Sequence, residues 1–182
     1  MQYQATEIPD VYILEPQIFG DSRGYFMETY RKSDFDKNVA PTDFIQDNES
    51  KSHYGVLRGL HYQKGEWSQA KLVKVLSGTV LDVAVDLRRS SPTFLKHVMV
   101  ELSGENHRQL FIPRGFAHGF LVLSEQAVFT YKVDNAYMPS AEVSIRFDSP
   151  ELGLAWPLEK GKLELSTKDL NALPLGGAPL FD

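Results

Sequence analysis

Arg58 and His61, three residues apart, lie in the stretch Gly55–Gln63 (GVLRGLHYQ), among two glycines and a set of apolar side chains. Imidazole ordinarily titrates near neutrality, so a histidine in a pocket is suited to removing a proton from a weak acid. Removal of a proton from carbon beside a ketone builds negative charge on the carbonyl oxygen. A fixed lysine in a low-dielectric pocket stabilises that enolate as a metal ion would, and Lys71 is the candidate. A carboxylate on the second ring nitrogen of the histidine fixes its tautomer and stabilises the imidazolium. A phenol such as Tyr131 can return a proton on the opposite face, which inverts the stereocentre. We read His61 as a base, with Lys71 and Tyr131 in its pocket and Asp169 closing on it from the C-terminal part. Each residue also has an ordinary reading. A strand histidine is more often structural than catalytic, and a lysine in a strand-adjacent turn is usually solvated. Tyr131 fits a core, and Asp169 fits a helix cap.

The elements that must hold these groups are mostly strands. Val11–Leu14 (VYIL) is a short β-branched and aromatic run ended by Pro16. Phe19–Tyr30 contains a turn at Gly20–Gly24 and continues as an aromatic strand. Lys32–Val39 has a helical look with Ser33 as N-cap, and polar Phe44–Ser52 reads as a strand end or pocket rim. Short strands then follow closely: 56–63, 72–76, 79–87, 96–102, 109–112, 118–123, 127–133 and 144–147, separated by turn residues such as Ser77-Gly78 and Pro113-Arg114-Gly115. Leu81–Asp86 (LDVAVD) alternates apolar and acidic residues, as a half-buried strand does. Strands without intervening helices imply an all-β antiparallel sandwich or barrel. After Pro150, Leu152–Pro157 reads as an extended lid or turn. Ser166 with Asp169 three residues on is a weak capping box, and the tail 174–182 looks irregular.

A chain of 182 residues with 42% hydrophobic and 24% charged content is expected to form one soluble domain spanning 1–182. A net charge of −5 argues against nucleic acid as a partner but permits a local basic pocket for a small anion. No stretch approaches the ~20 apolar residues of a membrane span. The N-terminus lacks the pattern of a signal peptide, and there are no cysteines. A cytoplasmic protein is the expectation.

Pro113-Arg114-Gly115-Phe116-Ala117-His118 resembles the second motif of the cupin superfamily, whose members are double-sheet β-barrels of the jelly-roll kind, here expected with a few short, mainly C-terminal helices. The first cupin motif supplies His-x-His and then a glutamate as metal ligands. Here His61-x-Gln63 replaces the first pair, and Lys71 stands where the glutamate belongs. Glutamine is a poor ligand and an ammonium repels a cation. The expectation is therefore a barrel without metal or other cofactor. His53, His97 and His107 read as surface or structural.

With its neighbours this text closely resembles the dTDP-4-dehydrorhamnose 3,5-epimerase family. The matching segments are Phe19-Gly-Asp-x-Arg23-Gly-x-Phe26-x-Glu28, Gln46-Asp-Asn48, Gly55–Gln63, Lys71-Leu-Val, Asp82–Leu87, Ser90–Phe94, Ile112–Ser124, Tyr131-Lys132 and Tyr137. The resemblance implies proton removal at C3 and C5, beside the C4 ketone of a dTDP-4-keto-6-deoxyglucose. It makes His61 the base, Asp169 its hydrogen-bonded partner, Lys71 the enolate cation and Tyr131 the acid. It gives Arg58 to the diphosphate and His118 to sugar oxygens. Phe19, Arg23, Phe26 and Glu28 become the nucleotide-side wall, Gln46 and Asn48 further substrate contacts, and Tyr137 an aromatic neighbour. It also implies a homodimer in which residues 1–30 complete the partner's sheet and site, while 150–182 forms a lid-like helical segment. The alternatives are an epimerase acting at C3 or C5 alone, a metal-dependent cupin such as a sugar isomerase or oxygenase, and a noncatalytic sugar-binding barrel. Positional deuterium exchange discriminates the first, metal analysis the second. A binding barrel has no need of base, acid and enolate cation together.

Overall fold

The computed structural model describes residues 1–182. Thirteen strands and two short α-helices follow one another as β1 (Gln2–Ala5), β2 (Tyr12–Glu15), β3 (Ile18–Asp21), β4 (Gly24–Met27), α1 (Lys32–Asn38), β5 (Gln46–His53), β6 (Leu57–Gln63), β7 (Lys71–Ser77), β8 (Thr79–Asp86), β9 (His97–Ser103), β10 (Gln109–Ile112), β11 (Phe116–Val122), β12 (Gln126–Val133), β13 (Glu142–Ser144) and α2 (Thr167–Leu170). They form a six-stranded sheet ordered β1-β2-β10-β7-β12-β5, a five-stranded sheet ordered β13-β6-β11-β8-β9, and the separate hairpin β3-β4. Every pairing between these strands is antiparallel. The two large sheets pack face to face as the expected jelly roll. No helix is long and apolar enough to cross a membrane.

Alternation along each strand sorts the side chains. Val73 and Val75 of β7, Phe129 of β12, Val80 and Ala84 of β8, and Phe120 of β11 meet between the sheets in the main core. Phe120 stacks on Phe129 with ring centroids 4.2 Å apart, a contact that contributes ~1 kcal/mol beyond its burial. The outer face of the five-stranded sheet is also buried: Leu60, Val83, Val85 and Ala117 pack beneath Leu152, Leu175 and Ala178 of the C-terminal segment. The outer face of the six-stranded sheet holds Leu14, Leu72 and Phe111 against Phe35 of α1.

This double cover corrects the half-buried reading of Leu81–Asp86. Its valines bury outward against the tail, while Asp82 and Asp86 are both 0% exposed. Asp86 is satisfied there by Arg88, Ser91 and Thr93. Other differences are local. Residues 2–5 form an edge strand that polar MQYQA did not announce. Helix α1 begins at Lys32 with Arg31 as N-cap and no side-chain cap, so Ser33 does not serve. Phe44–Ser52 is not merely a strand end: Gln46–His53 pairs with β12 along its whole length. The last short strand lies at 142–144, earlier than 144–147. Leu152–Pro157 follows a turn at Pro150–Leu152. Leu152, Leu154 and Trp156 pack under the five-stranded sheet, and Gly153–Trp156 line a cavity separate from that of His61.

One irregularity matters for the site. Between β6 and β11 the register runs His61↔His118 and then Arg58↔Phe120, so β6 carries one residue more than its partner. This bulge falls at Gly59, whose φ is +120° and where a Cβ would lie 2.7 Å from the Cα of Gly119. Gly59→Ala therefore combines a disfavoured backbone conformation with a backbone collision. It is expected to lower unfolding free energy by at least ~2 kcal/mol, read as the midpoint of denaturant unfolding.

Candidate active site

The bulge determines which side chains share the interior. Residues three apart on a regular strand point to opposite faces, but the extra residue between Arg58 and His61 lets both line one cavity of about 510 Å³. Lys71, His118 and Tyr131 line it from β7, β11 and β12, and Ser166, Lys168 and Asp169 close it from the C-terminal segment. Lys71 shares an alternation face with Val73 and Val75, and Tyr131 shares one with Phe129. The pattern that builds the core thus carries both polar groups inward.

His61 Nε2 lies 2.5 Å from Asp169 Oδ1. A carboxylate only accepts, so the imidazole donates Nε2–H, and in the neutral ring the lone pair is the one on Nδ1. Asp169 is 3% exposed, whereas the His61 side chain keeps 24% of its surface open. Burial alone would raise the Asp169 carboxyl, but the hydrogen bond and charge of His61, the bond from Ser166 and nearby Lys168 outweigh it and hold the group below its ordinary range. The cap of α2 is Ser166, whose Oγ accepts the Asp169 backbone N–H. The Asp169 carboxylate bonds the Ser166 hydroxyl instead of the Ser166 backbone N–H, so the capping box is only half formed. Asp169 is thus the partner of His61 and not the cap of its helix.

His118 faces His61 across the strand pair and donates Nε2–H to fully buried Asp82, 2.9 Å from Oδ2. Burial lowers the His118 pKa, against the opposing pull of Asp82. Lys71 is not in a solvated turn: it begins β7, with its ammonium 5.9 Å from the ring centroid of Tyr131. Burial pushes that ammonium down to about 8 from 10.5, while Asp82 and Glu142 partly restore it. Burial raises the Tyr131 phenol, which keeps it protonated. Arg58 donates Nε–H to Ser52 Oγ at 3.0 Å, leaving the rest of its fork of donors unassigned.

The structure adds groups that the sequence had not singled out. Glu142 and Lys168 both line the cavity and pair at 2.7 Å, and Tyr137 donates to Glu142 at 3.0 Å. The only sequence signal for Lys168 was its place beside Asp169, and Glu142 had none. At the mouth His53 and Glu164 are 2.7 Å apart. No group of three or more histidine, cysteine, aspartate or glutamate side chains is gathered as a metal site would require.

Other expected contacts lie outside this cavity. Phe19 and Phe26 are 56% and 70% exposed on the β3-β4 hairpin, beside Arg23, whose guanidinium pairs with Asp21. Glu28 pairs with Arg31. Gln46 and Asn48 bond to each other on β5, and Tyr137 is 53% exposed. Within one chain, none of these seven meets His61.

The family model described as dTDP-4-dehydrorhamnose 3,5-epimerase matches residues 5–176. A Salmonella typhimurium protein of that name is 52% identical over 178 residues, covering 97% of this chain and 93% of that one. The solved dTDP-4-dehydrorhamnose 3,5-epimerase of Elizabethkingia anophelis superposes with TM-score 0.93 at 51% identity, covering 97% of each chain. The Legionella pneumophila dTDP-6-deoxy-D-glucose-3,5-epimerase, solved with dTDP-4-keto-L-rhamnose, superposes with TM-score 0.90 at 49% identity, covering 94% of this chain and 90% of that one. The two solved relatives share the two-sheet fold described above.

The Lys71 environment has a consequence for stability. Its folded-state pKa is depressed, so the penalty for burying the ammonium is fully present below about pH 8. That penalty is relieved as pH rises toward 10.5. Lys71→Met is therefore expected to be more stable than the parent at neutral pH. Its advantage should shrink between pH 8 and 10.5 in parallel denaturant titrations, and a constant difference would contradict this environment.

Proposed function

The chain belongs to the dTDP-4-dehydrorhamnose 3,5-epimerase family, and we propose that it inverts C3 and C5 of dTDP-4-dehydro-6-deoxy-D-glucose to give dTDP-4-dehydro-L-rhamnose without metal or other cofactor. The observation that carries this reading is the His61–Asp169 pair opening into the cavity that also holds Lys71 and Tyr131. His61 takes the proton from carbon beside the C4 ketone, and the negative charge of Asp169 stabilises the resulting imidazolium. The enolate oxygen is met by the Lys71 ammonium, which is cationic below about pH 8. Tyr131, kept protonated by burial, returns a proton to the other face. His61 then releases its proton to solvent and Tyr131 regains one, after which the same sequence runs at the second carbon, which also flanks the ketone.

Arg58 takes the diphosphate, since a guanidinium presents several donors in a fixed fork. His118 accepts through Nδ1 from a sugar hydroxyl. Phe19, Arg23, Phe26, Glu28, Gln46, Asn48 and Tyr137 belong to the nucleotide side. Exposed aromatic faces on a hairpin remote from its own cavity support a homodimer in which each hairpin serves the neighbour's nucleotide. Residues 1–182 then act as one catalytic domain that needs a second copy to complete its site. The cysteine-free, acidic chain suits the cytoplasm.

Solvent deuterium incorporation into the substrate, followed by NMR, tests the reaction. Label is expected at both C3 and C5 with the parent protein and at neither with His61→Ala. Label at C3 alone would make it a 3-epimerase, and tight binding without label would leave a binding protein. A second experiment addresses the dimer. Arg23→Ala/Phe26→Ala lacks the hairpin contacts, whereas His61→Ala lacks the base. Each variant alone is expected to turn over weakly or not at all, but mixed dimers formed by co-expression should regain activity. Co-expressed chains no more active than the better variant alone would place each hairpin on its own site.

A further inference from the structure

We infer that Ser166 is a positioning residue of this site: its hydroxyl occupies one carboxylate oxygen of Asp169 and so leaves the other aimed at His61. The inference rests on the proposed epimerisation and adds to it a cavity-lining residue whose hydroxyl is engaged with Asp169 and not with His61. Ser166 Oγ makes two bonds to the same residue, accepting Asp169 N–H at 3.1 Å and donating to Asp169 Oδ2 at 2.8 Å. A hydroxyl has one proton and two lone pairs, so both bonds form at once. Asp169 Oδ1 is left to receive His61 Nε2–H at 2.5 Å.

The carboxylate torsion is broad and nearly two-fold, so a helical turn alone does not orient the plane of the group. With Asp169 only 3% exposed, bulk water has little access to stand in for a missing donor. The nearest cation in sequence, Lys168, is engaged with Glu142 at 2.7 Å. Ser166 is therefore the one protein donor to Oδ2.

Apart from the Asp169 N–H that it caps, the hydroxyl holds none of the backbone that straps this segment down. Upstream, Glu164 is fixed to β6 by Leu57 N–H to Glu164 O at 2.9 Å and Glu164 N–H to Gly55 O at 2.8 Å. Downstream, Leu173 is fixed by its N–H to Ser144 O at 3.0 Å and by Arg146 N–H to its own carbonyl at 2.9 Å. Removal of the hydroxyl should leave the segment strapped in place while the carboxylate turns within it. That separates orientation from folding.

The test compares the parent, Ser166→Ala and Ser166→Thr by steady-state kinetics, dTDP affinity and the NMR resonance of the His61 ring N–H. Ser166→Ala is expected to lose about tenfold in kcat, or ~1.4 kcal/mol of transition-state stabilisation. KM and dTDP affinity should be unchanged. The downfield His61 N–H signal should move upfield or broaden, and Ser166→Thr should restore both kcat and the signal. A Ser166→Ala protein with parental kcat and an unmoved signal would overturn the inference. So would a loss of kcat with the signal unmoved or with no rescue by threonine, since either would assign Ser166 to the turn alone. If the parent itself exchanges no deuterium, the epimerase reading fails, and the His61 signal still decides the role of Ser166.

Discussion

One extra residue in β6 is the constraint on which the site depends. Antiparallel strands alternate faces with period two, so Arg58 and His61 at odd spacing would be separated by the sheet if β6 were regular. The bulge at Gly59 changes that parity once, and both then face the cavity while Leu60 still packs outward under the C-terminal segment. Only glycine suits the position, because its φ is +120° and the strand beyond it, at Gly119, is too close for a Cβ. The same register places His61 directly opposite His118. A core strand and a chemical strand are thus reconciled within one short element.

That reconciliation is costly in an apolar interior, and the surrounding structure offsets the cost. Lys71, Asp82, His118 and Asp169 all lie where burial disfavours charge. Two carboxylates are each given a histidine N–H, and Asp169 has a serine hydroxyl besides. Lys71 has no hydrogen-bonding carboxylate of its own, and its pKa falls to about 8, which still leaves a cation at neutral pH. Packing compensates: both sheets are covered on their outer faces as well as their inner ones, by the tail on one side and α1 on the other. The C-terminal segment serves twice, since it covers the five-stranded sheet and delivers Asp169.

Much of this was legible in the sequence, for identifiable reasons. Strand positions followed from β-branched runs and turn residues, both of which are local signals. The group His61, Lys71, Tyr131 and Asp169 converges as expected because strand parity carries Lys71 and Tyr131 inward with their apolar neighbours. What escaped depends on contacts between distant segments. Nothing within LDVAVD reveals that a tail far along the chain will bury its second face, so Asp82 and Asp86 read as solvent-facing. Glu142 and Lys168 meet only once β13 and α2 are placed side by side. The bulge was invisible because Gly59 looks like any turn glycine. For Phe19, Arg23 and Phe26 the deficit is different: the geometry of one chain leaves them outside the cavity, and their proposed role needs a second copy.

The two histidine–carboxylate pairs in one pocket raise the question of which imidazole can accept a proton from carbon. Residue type cannot answer it, since each ring donates one N–H to a buried aspartate and keeps one lone pair. Surroundings can. The side chain of His118 is 8% exposed, and burial lowers its pKa in spite of Asp82, so forming its imidazolium is disfavoured. His61 is three times as open at 24%, toward the cavity, and its aspartate is held ionised on a segment strapped at both ends. Of the two rings, His61 is the more accessible from the cavity. On the proposed reaction, one base must reach both carbons that flank the ketone, and they lie on opposite sides of C4. On that reading, a sugar that reorients between the two proton transfers would do so within the cavity of about 510 Å³ that His61 lines. The space around His61 is then as much a part of the chemistry as the side chains that line it.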